Sequence, residues 1–303
     1  MVPYPTTILL ATDGSADALF AEHAAVDLCV RSGAALHVVH AWLYVPVGPY
    51  PYGGITAAET HRLFEKNAKR ILAESVERIA QVGGTVTKQY LRLGAPADVI
   101  VKLSEEIAAE LLILGSRGLG TIRRLVLGSV SDAVIHSAHC PTLLVRGSAD
   151  SWPPAKIIVG NDGSADGTRA VGLAAALGQV YGAQLILARA VPELPDVRWY
   201  DDEGQRATIE KLQGDLVARA REALTTEARQ LASETGKTPE IVIAACDPTE
   251  ILLDSAEAQT LPTLLAVGCR GLGPLDRLRL GSVSTKVVHA ASGPVFVVPH
   301  RPE

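Results

Sequence analysis

The sequence has few of the residues that stabilise a small secreted fold. The chain has 303 residues and four cysteines, Cys29, Cys140, Cys246 and Cys269, none of them in a CxxC pair or at metal-ligand spacing. This pattern excludes a disulfide framework and a cysteine zinc site. Aromatic residues make up only 4% of the chain, so aliphatic side chains must build the core. We expect a protein of the reducing cytoplasm.

The chain also lacks a strong charge of one sign and any long apolar run. Its formal net charge of −5 provides no general attraction for nucleic acid or for an anionic membrane. No stretch approaches the roughly 18 apolar residues of a membrane span, and the N-terminus has no basic region of a signal peptide. We therefore expect no nucleic-acid partner, no membrane partner and no cleaved leader.

Three common sequence motifs are missing. There is no GxxxxGK followed by Ser or Thr, which excludes a P-loop, and no GxGxxG after the first strand, which excludes the dinucleotide fingerprint. There is no GxSxG, which excludes the nucleophile elbow of an α/β-hydrolase. Any phosphate bound here must be held without a P-loop lysine.

One segment occurs twice. GSRGLGTIRRLVLGSVS, Gly115 to Ser131, returns as GCRGLGPLDRLRLGSVS, Gly268 to Ser284, with twelve of seventeen positions identical. LLATDGSADA and IVGNDGSADG also correspond, and they place Asp13 over Asp162. A repeat of this length indicates two similar domains, which the size of the chain also favours. We place these domains at residues 1–147 and 155–303, joined by a short linker of Gly, Ser and Pro residues.

Within each half, short apolar runs alternate with segments of helical periodicity. Strictly alternating strands and helices imply right-handed crossovers and a parallel sheet covered on both faces. The predicted fold is therefore α/β, with two tandem doubly wound five-stranded parallel-sheet domains. The predicted strands are Ile8–Ala11, Leu36–Trp42, Val86–Leu91, Leu111–Leu114, Thr142–Val145, Lys156–Val159, Gln184–Ala188, Ile241–Ala244, Leu264–Val267 and Val295–Val298.

The repeated segment has the features of an anion site. It starts where the fourth strand ends and finishes where a helix begins, and doubly wound sheets bind ligands at such strand ends. Gly115, Gly118 and Gly128 allow the backbone to approach a ligand, and the free amides of a helix N-terminus attract phosphate. Alternatively, Ser129 caps the helix together with Asp132, and the glycines are turn residues. Capping requires no Gly-x-x-Gly upstream in both halves, which favours the phosphate site.

Two further pairs of residues recur beside these segments. Asp13 and Asp162 end the first strand of each half, where they are either ligand contacts or ordinary Asp-Gly-Ser turn residues. Arg117 and Arg270 stand inside the glycine segments, where they are either solvated or a local positive charge for a phosphate. The repeat favours the ligand role for the aspartates and leaves the arginines open.

Three motifs together resemble the universal stress protein family. They are Gly-x-x-Gly followed after nine residues by Gly-Ser, the Asp-Gly-Ser turn, and HCPTLLVR at His139–Arg146. The glycine pattern is similar to that of the ATP-binding members, and the resemblance covers both halves. It implies an adenine nucleotide alpha hydrolase-like fold with strand order 3-2-1-4-5. It also implies a cytoplasmic stress-response protein that binds ATP in each half and acts as a nucleotide-dependent sensor or regulator.

The resemblance also implies which residues contact the nucleotide. Asp13 would contact the nucleoside, and the main chain near Ala41 would read the adenine edge. The implied residues of the first half are Ala11, Thr12, Asp13, Ala41, Leu114, Gly115, Arg117, Gly118, Gly128, Ser129, Val130 and Ser131. Those of the second half are Gly160, Asn161, Asp162, Ala190, Val267, Gly268, Arg270, Gly271, Gly281, Ser282, Val283 and Ser284. Asn161 replaces Thr12, and Cys246 replaces the usual glycine, so we expect the two sites to differ.

The expected cofactor is ATP. Mg²⁺ is compatible as a phosphate partner because no lysine stands there, although the sequence names no dedicated metal ligand. No residue stands out as a general base, so we predict no catalytic residue and no enzyme. The alternatives are a slow ATPase or autophosphorylating enzyme, and a binder of cyclic AMP or another adenine nucleotide. We also expect a homodimer with an unidentified regulatory protein partner.

Overall fold

The structure is a computed structural model that describes residues 4–44, 56–118, 127–147, 151–199, 202–269 and 280–300. The chain divides into two compact units, one ending at Pro153 and the other beginning at Pro154. None of the helices in the described ranges is long and apolar enough to cross a membrane.

The first unit contains five strands and four helices. The strands are β1 Thr7–Ala11, β2 Ala35–Trp42, β3 Val86–Leu93, β4 Leu111–Gly115 and β5 Thr142–Val145. The helices are α1 Ala16–Ser32, α2 Ala57–Gln81, α3 Pro96–Glu106 and α4 Ser129–Ser137.

The second unit repeats this order. Its strands are β6 Lys156–Gly160, β7 Gln184–Val191, β8 Glu240–Ala245, β9 Thr263–Gly268 and β10 Val295–Val298. Its helices are α5 Ala165–Tyr181, α6 Glu203–Thr235, α7 Pro248–Glu257 and α8 Ser282–Ala290, with a short 3₁₀ helix at Val197–Trp199.

All strand pairs within each unit are parallel. The order in the first unit is β3-β2-β1-β4-β5, and that in the second is β8-β7-β6-β9-β10. Numbered within its own unit, each sheet therefore has the order 3-2-1-4-5. This confirms the predicted fold class, and it places the point of strand reversal between β1 and β4 and between β6 and β9.

The core of each unit lies on both faces of its sheet. Ile8, Leu9 and Leu10 follow one another in β1, and all three are fully buried. Consecutive side chains point to opposite faces, so both faces must be covered by helices. The buried side of α1 carries small residues such as Ala21 and Ala25, which allow the helix backbone to pack close to the sheet.

Two strands run at least two residues further at their carboxyl ends than the apolar pattern predicts. β7 continues through Arg189 to Val191, and β3 continues through Arg92 to Leu93. In both strands an arginine follows the apolar run, and its guanidinium contacts a neighbouring group at the edge of the sheet. Arg189 donates from Nε to the carbonyl oxygen of Asn161 at 2.7 Å, and the Arg92 guanidinium lies over the ring of Tyr90.

Candidate functional site

The turn after β1 fixes Asp13 at the carboxyl edge of the first sheet. The Ser15 amide donates to Asp13 Oδ1 at 3.0 Å, and Gly14 has a left-handed φ of 76°. Ser15 is the N-cap of α1, and its Oγ accepts from the Ala18 amide. This Asp-Gly-Ser turn holds one carboxylate oxygen of Asp13 and leaves its Oδ2 directed toward the glycine segment.

Gly118 and Asp13 lie in direct contact although they are 105 positions apart in the sequence. A Cβ at Gly118 would stand 2.5 Å from Asp13 Oδ2, which is less than a non-bonded contact allows. The Ser15 hydroxyl also donates to the Arg117 carbonyl oxygen at 3.1 Å. The structure therefore brings the predicted Asp13 and Gly118 together at one edge of the sheet.

Gly115 is required by packing against α1. A Cβ at this position would lie 2.6 Å from the Asp17 carbonyl carbon and 2.8 Å from the Ala18 nitrogen. Both atoms belong to the helix backbone and cannot move independently. The glycine thus lets the first turn of α1 approach the end of β4, which is a different use from the close approach to a ligand that the sequence indicated.

Helix α4 begins without a side-chain cap. Its N-cap is Gly128, and no side chain among the described residues accepts from the first turn at this cap. The sequence alternative in which Ser129 caps the helix is therefore wrong. The first intrahelical bond at this end runs from the Asp132 amide to the Gly128 carbonyl oxygen at 2.9 Å. The preceding amides, of Ser129, Val130 and Ser131, are those that a helix N-terminus offers to an anion.

Leu114 and Ser131 are among the predicted contact residues whose side chains are turned away from a ligand. The Leu114 side chain is buried, and the Ser131 hydroxyl is buried and donates to the Gly115 carbonyl oxygen at 2.8 Å. Gly128 donates from its amide to the Ser116 carbonyl oxygen at 2.8 Å. A Cβ at Gly128 would lie 3.2 Å from that oxygen, so the helix start is packed tightly on the segment after β4.

A buried aspartate fixes the base of the glycine segment. Arg117 donates from Nε and Nη2 to the two carboxylate oxygens of Asp17 at 2.9 Å each, and Ser116 Oγ donates to Asp17 Oδ2 at 2.6 Å. These bonds raise the pKa of Arg117. The neighbouring Arg146 is largely buried, which lowers its pKa to about 10, and Arg117 adds to the lowering while Asp17 opposes it. Arg117 therefore anchors the segment to α1. Sequence reasoning did not single out Asp17, because its partners lie about a hundred residues away.

A second buried carboxylate lies below Thr12. Glu22, on α1, accepts from Thr12 Oγ1 at 3.1 Å and from Ser75 Oγ at 2.6 Å. Arg78 on α2 donates to both oxygens of Glu22 at 2.9 Å. His40 Nδ1 lies 2.8 Å from the Thr12 carbonyl oxygen. These contacts fix the end of β1 from below, so Asp13 projects from a rigid base.

Ala11 and Ala41 lie near the carboxyl ends of β1 and β2. Ala11 pairs with Val39, and Ala41 lies two residues further along β2. Ala41 is half-buried. The predicted base-reading main chain therefore lies at the same edge as the glycine segment.

The second unit repeats the helix start. The N-cap of α8 is Gly281, again without a side-chain cap among the described residues, and its amide donates to the Cys269 carbonyl oxygen at 2.7 Å. Ser284 Oγ donates to the Gly268 carbonyl oxygen at 2.6 Å. A Cβ at Gly268 would lie 2.8 Å from the Asp166 carbonyl carbon. The other predicted residues of this helix start match those of the first unit in position. Ser282 is exposed, Val283 is half-buried and the side chain of Val267 is buried.

The turn after β6 keeps the backbone geometry but changes its supports. Asp162 Oδ1 accepts from the Ser164 amide at 3.0 Å, as Asp13 does from Ser15. The buried Asn161 donates to Glu227 of α6, and Arg189 takes the role of His40 at the Asn161 carbonyl oxygen. Burial raises the pKa of Glu227, against the lowering effects of Arg189 and Asn161. The carboxylate below the turn thus comes from α6 here and from α1 in the first unit.

Of the remaining predicted residues of the second site, two lie at strand ends and two lie outside the described residues. Gly160 ends β6 against Leu252 of α7, and Ala190 is half-buried near the end of β7. Arg270 and Gly271 lie outside the described residues. Asp166, which sequence reasoning did not single out, is buried and pairs with His300 Nδ1 at 2.9 Å. Within the described ranges, metal-ligating side chains do not gather in groups of three or more.

The comparisons with known proteins agree along the whole chain. The model of the universal stress protein family matches residues 5–146 and again residues 154–299. A universal stress protein of Mycobacterium tuberculosis is 31% identical over 96% of both chains. One from Thermus aquaticus is 39% identical over 46% of this chain and 98% of its own length.

A crystal structure of a universal stress protein from Archaeoglobus fulgidus shares the fold. Its TM-score is 0.69 with 19% sequence identity, and the match covers 98% of this chain and 99% of the other. The two family matches and the relative that is similar along the full length lead to one conclusion. The chain is a tandem member of the universal stress protein family.

Proposed function

We propose that each unit binds ATP and that nucleotide occupancy regulates what the chain associates with. The observation that carries this proposal is the start of α4, where a glycine N-cap leaves the first amides without a side-chain cap beside the Asp13 carboxylate. Helix N-termini attract phosphate through their free amides and their dipole. The same arrangement recurs at α8 in the second unit.

The residues of the first unit fit the parts of the nucleotide in spatial order. The amides of Ser129, Val130 and Ser131 would hold the phosphates. Asp13 would accept from the ribose hydroxyls, because a carboxylate oxygen can only accept. The main chain at Ala41 would face the base. Arg117 would act mainly by holding the glycine segment on Asp17, while its positive charge would favour the polyphosphate.

The proposal is for binding without turnover. A general base must lie within hydrogen-bond reach of the water or hydroxyl that it activates. Asp13 holds the Ser15 amide with one oxygen, and the proposed ribose contact would occupy the other. Glu22 and Asp17 are buried and already hold arginine partners. These assignments leave the carboxylates nearest the site with structural or binding roles.

The regulatory role is supported by the contacts between the glycine segment and α1. Ser15 Oγ, Asp17 and the Ala18 backbone all touch the segment that would close on the phosphates. A ligand shifts a conformational equilibrium only through different contacts in the two states. Phosphates bound at α4 would change the position of this segment, and α1 would transmit the change to the surface of its unit.

Mass spectrometry of small molecules released from the purified chain, followed by calorimetry, tests the proposal. We expect ATP to be released and to rebind, and Gly128→Ala to weaken binding because its Cβ would press on the Ser116 carbonyl oxygen. Gly172→Ala on α5 is the control, since a Cβ there meets no atom within 4 Å. The proposal fails if no adenine compound is released and ATP produces no heat at millimolar concentration.

The same samples separate the alternatives. Release of cyclic AMP in place of ATP would identify a different adenine ligand. Phosphate release over hours that is lost in Asp13→Ala, or a phosphorylated peptide after incubation with ATP, would identify an enzyme.

A further inference from the structure

The edge strand β3 carries two cations on one aromatic ring. Lys88 Nζ and Arg92 Cζ each lie 5.2 Å from the centre of the Tyr90 ring, one on either side of it along the strand. Tyr90 is only 6% exposed, and its hydroxyl lies 3.1 Å from His37 Nδ1. Residues two apart on a strand share a face, so the ring is a fixed support for both cations.

The register of the sheet places Arg92 in line with the proposed nucleotide site. Ala11 pairs with Val39, and Ala41 pairs with Arg92. Ala41 and Arg92 therefore form a row across β2 and β3, and Asp13 lies at the same edge of the sheet, two residues past the end of β1. Gly115 faces α1, and Ala11 pairs with the preceding residue of β4, so this row lies on the opposite face from α1.

The strands from β4 to β3 offer successive places for the phosphates, the ribose and the base of a nucleotide. Neighbouring strands are about 4.8 Å apart, so the distance from β4 to β3 is about 14 Å across three strand spacings. Phosphates at the start of α4, beside β4, and a ribose at Asp13 leave the base above β2 and next to β3. Arg92 is the charged residue of β3 at that end, and it is exposed.

The second unit lacks this arrangement at the matching positions. Ala190, which corresponds to Ala41, pairs with Ala244, and Ile186 pairs with Glu240. Glu240, Val242 and Ala244 therefore stand where β3 has Lys88, Tyr90 and Arg92. The two units have the same glycine-capped helix start but offer different chemistry to the base.

We infer that Arg92 is a base-contacting residue of the first site and makes that site the tighter of the two for the adenosine part of the ligand. This inference rests on the proposed function. Tyr90 supports the guanidinium, and the exposed Arg92 side chain would stack on a purine ring. A guanidinium is planar and weakly hydrated, and it stacks well on aromatic faces.

Site-resolved photolabelling tests the inference. The intact chain is labelled with 8-azido-ATP, unlabelled ATP or adenosine displaces the label, and peptide mass spectrometry reads each unit separately. We expect Arg92→Ala to weaken both competitors at the first site by about three- to fivefold. The second site in the same sample is an internal reference. Lys88→Ala is the matched control, since it removes the same charge from the same ring on the side away from the strand end.

The converse substitution asks whether the arrangement can be transferred. Val242→Tyr with Ala244→Arg should tighten adenosine at the second site by a similar factor. The inference is overturned if Arg92→Ala leaves the first site unchanged, if Lys88→Ala weakens it equally, or if ATP is weakened and adenosine is not. Absence of displaceable label from both units of the unaltered chain would overturn the proposed function itself, and with it this inference.

Discussion

Gly118→Ala should damage the first nucleotide site while leaving the fold intact. The added Cβ would stand 2.5 Å from Asp13 Oδ2, so the carboxylate must rotate away. Gly118 is exposed and its φ lies outside the left-handed region, so alanine causes no backbone strain. The free energy of unfolding should therefore fall only by the roughly 1 kcal/mol that the hydrogen bond from the Ser15 amide to Asp13 contributes.

The loss of affinity follows from the contact that Asp13 would make. A hydrogen bond to a charged group contributes about 1.5–3 kcal/mol, which corresponds to a roughly 10- to 100-fold weaker Kd. Rotation of the carboxylate also breaks the bond from the Ser15 amide to Oδ1. The affinity for ATP at the first site should fall within that range.

A double-mutant cycle identifies the route of the effect. Binding of ATP to the first unit is measured for Asp13→Ala, Gly118→Ala and the double variant, and urea unfolding reports the stability of each. If Gly118→Ala acts through the carboxylate, it should add nothing once Asp13 is alanine. Asp162→Ala is the control in the second unit. An equal loss on both backgrounds, or no loss in Gly118→Ala, would refute the reasoning.

Three further outcomes are expected. Gly115→Ala should destabilise the chain by about 1–3 kcal/mol in urea unfolding because its Cβ meets the α1 backbone, whereas Gly172→Ala in a helix interior should stabilise it by up to about 1 kcal/mol; equal effects would contradict the packing role. Burial raises the pKa of Glu227 above its usual value of 4.5, so the stability from this group is present below that pH and is lost as the pH rises through the folded-state pKa. Glu227→Gln should therefore gain stability relative to the parent chain as the pH of the denaturation curves rises above 4.5, and a difference that stays constant with pH would exclude the effect. Burial raises the pKa of Cys29 to about 12 and that of Cys140 to about 11, so iodoacetamide should modify both much faster after unfolding, and equally fast labelling of the folded chain would contradict this protection.

The fold could be predicted from the sequence because its signals are local and occur twice. Apolar runs such as Thr142–Val145 and Val295–Val298 are bounded by turn residues, and both agree with the strands of the structure. The corresponding Asp-Gly-Ser turns and glycine segments fixed the alignment of the halves. Strict alternation of strand and helix then left few topologies other than a doubly wound sheet.

The supports of the site could not be predicted, because they depend on contacts between distant residues. Asp17 looks like a first-turn residue of a helix until β4 brings Arg117 to it, and Glu22 looks like a surface residue until α2 brings Arg78. The cap of α4 was ambiguous for the same reason, since Ser129 and Gly128 are both acceptable N-cap residues. The choice between them depends on the bond from the Gly128 amide to Ser116.

The different origins of the carboxylates below the two turns limit how the units can be recombined. A chimaera that joins α1 to α6 would place Glu22 and Glu227 below one turn, where the buried carboxylate and the half-buried one would each oppose ionisation of the other. The reverse chimaera would join α5, with Val171 at the position of Glu22, to α2, and Arg78 would lose its acid. α1 must therefore be exchanged together with α2, and α5 together with α6. Single helices of the two duplicated halves are no longer interchangeable.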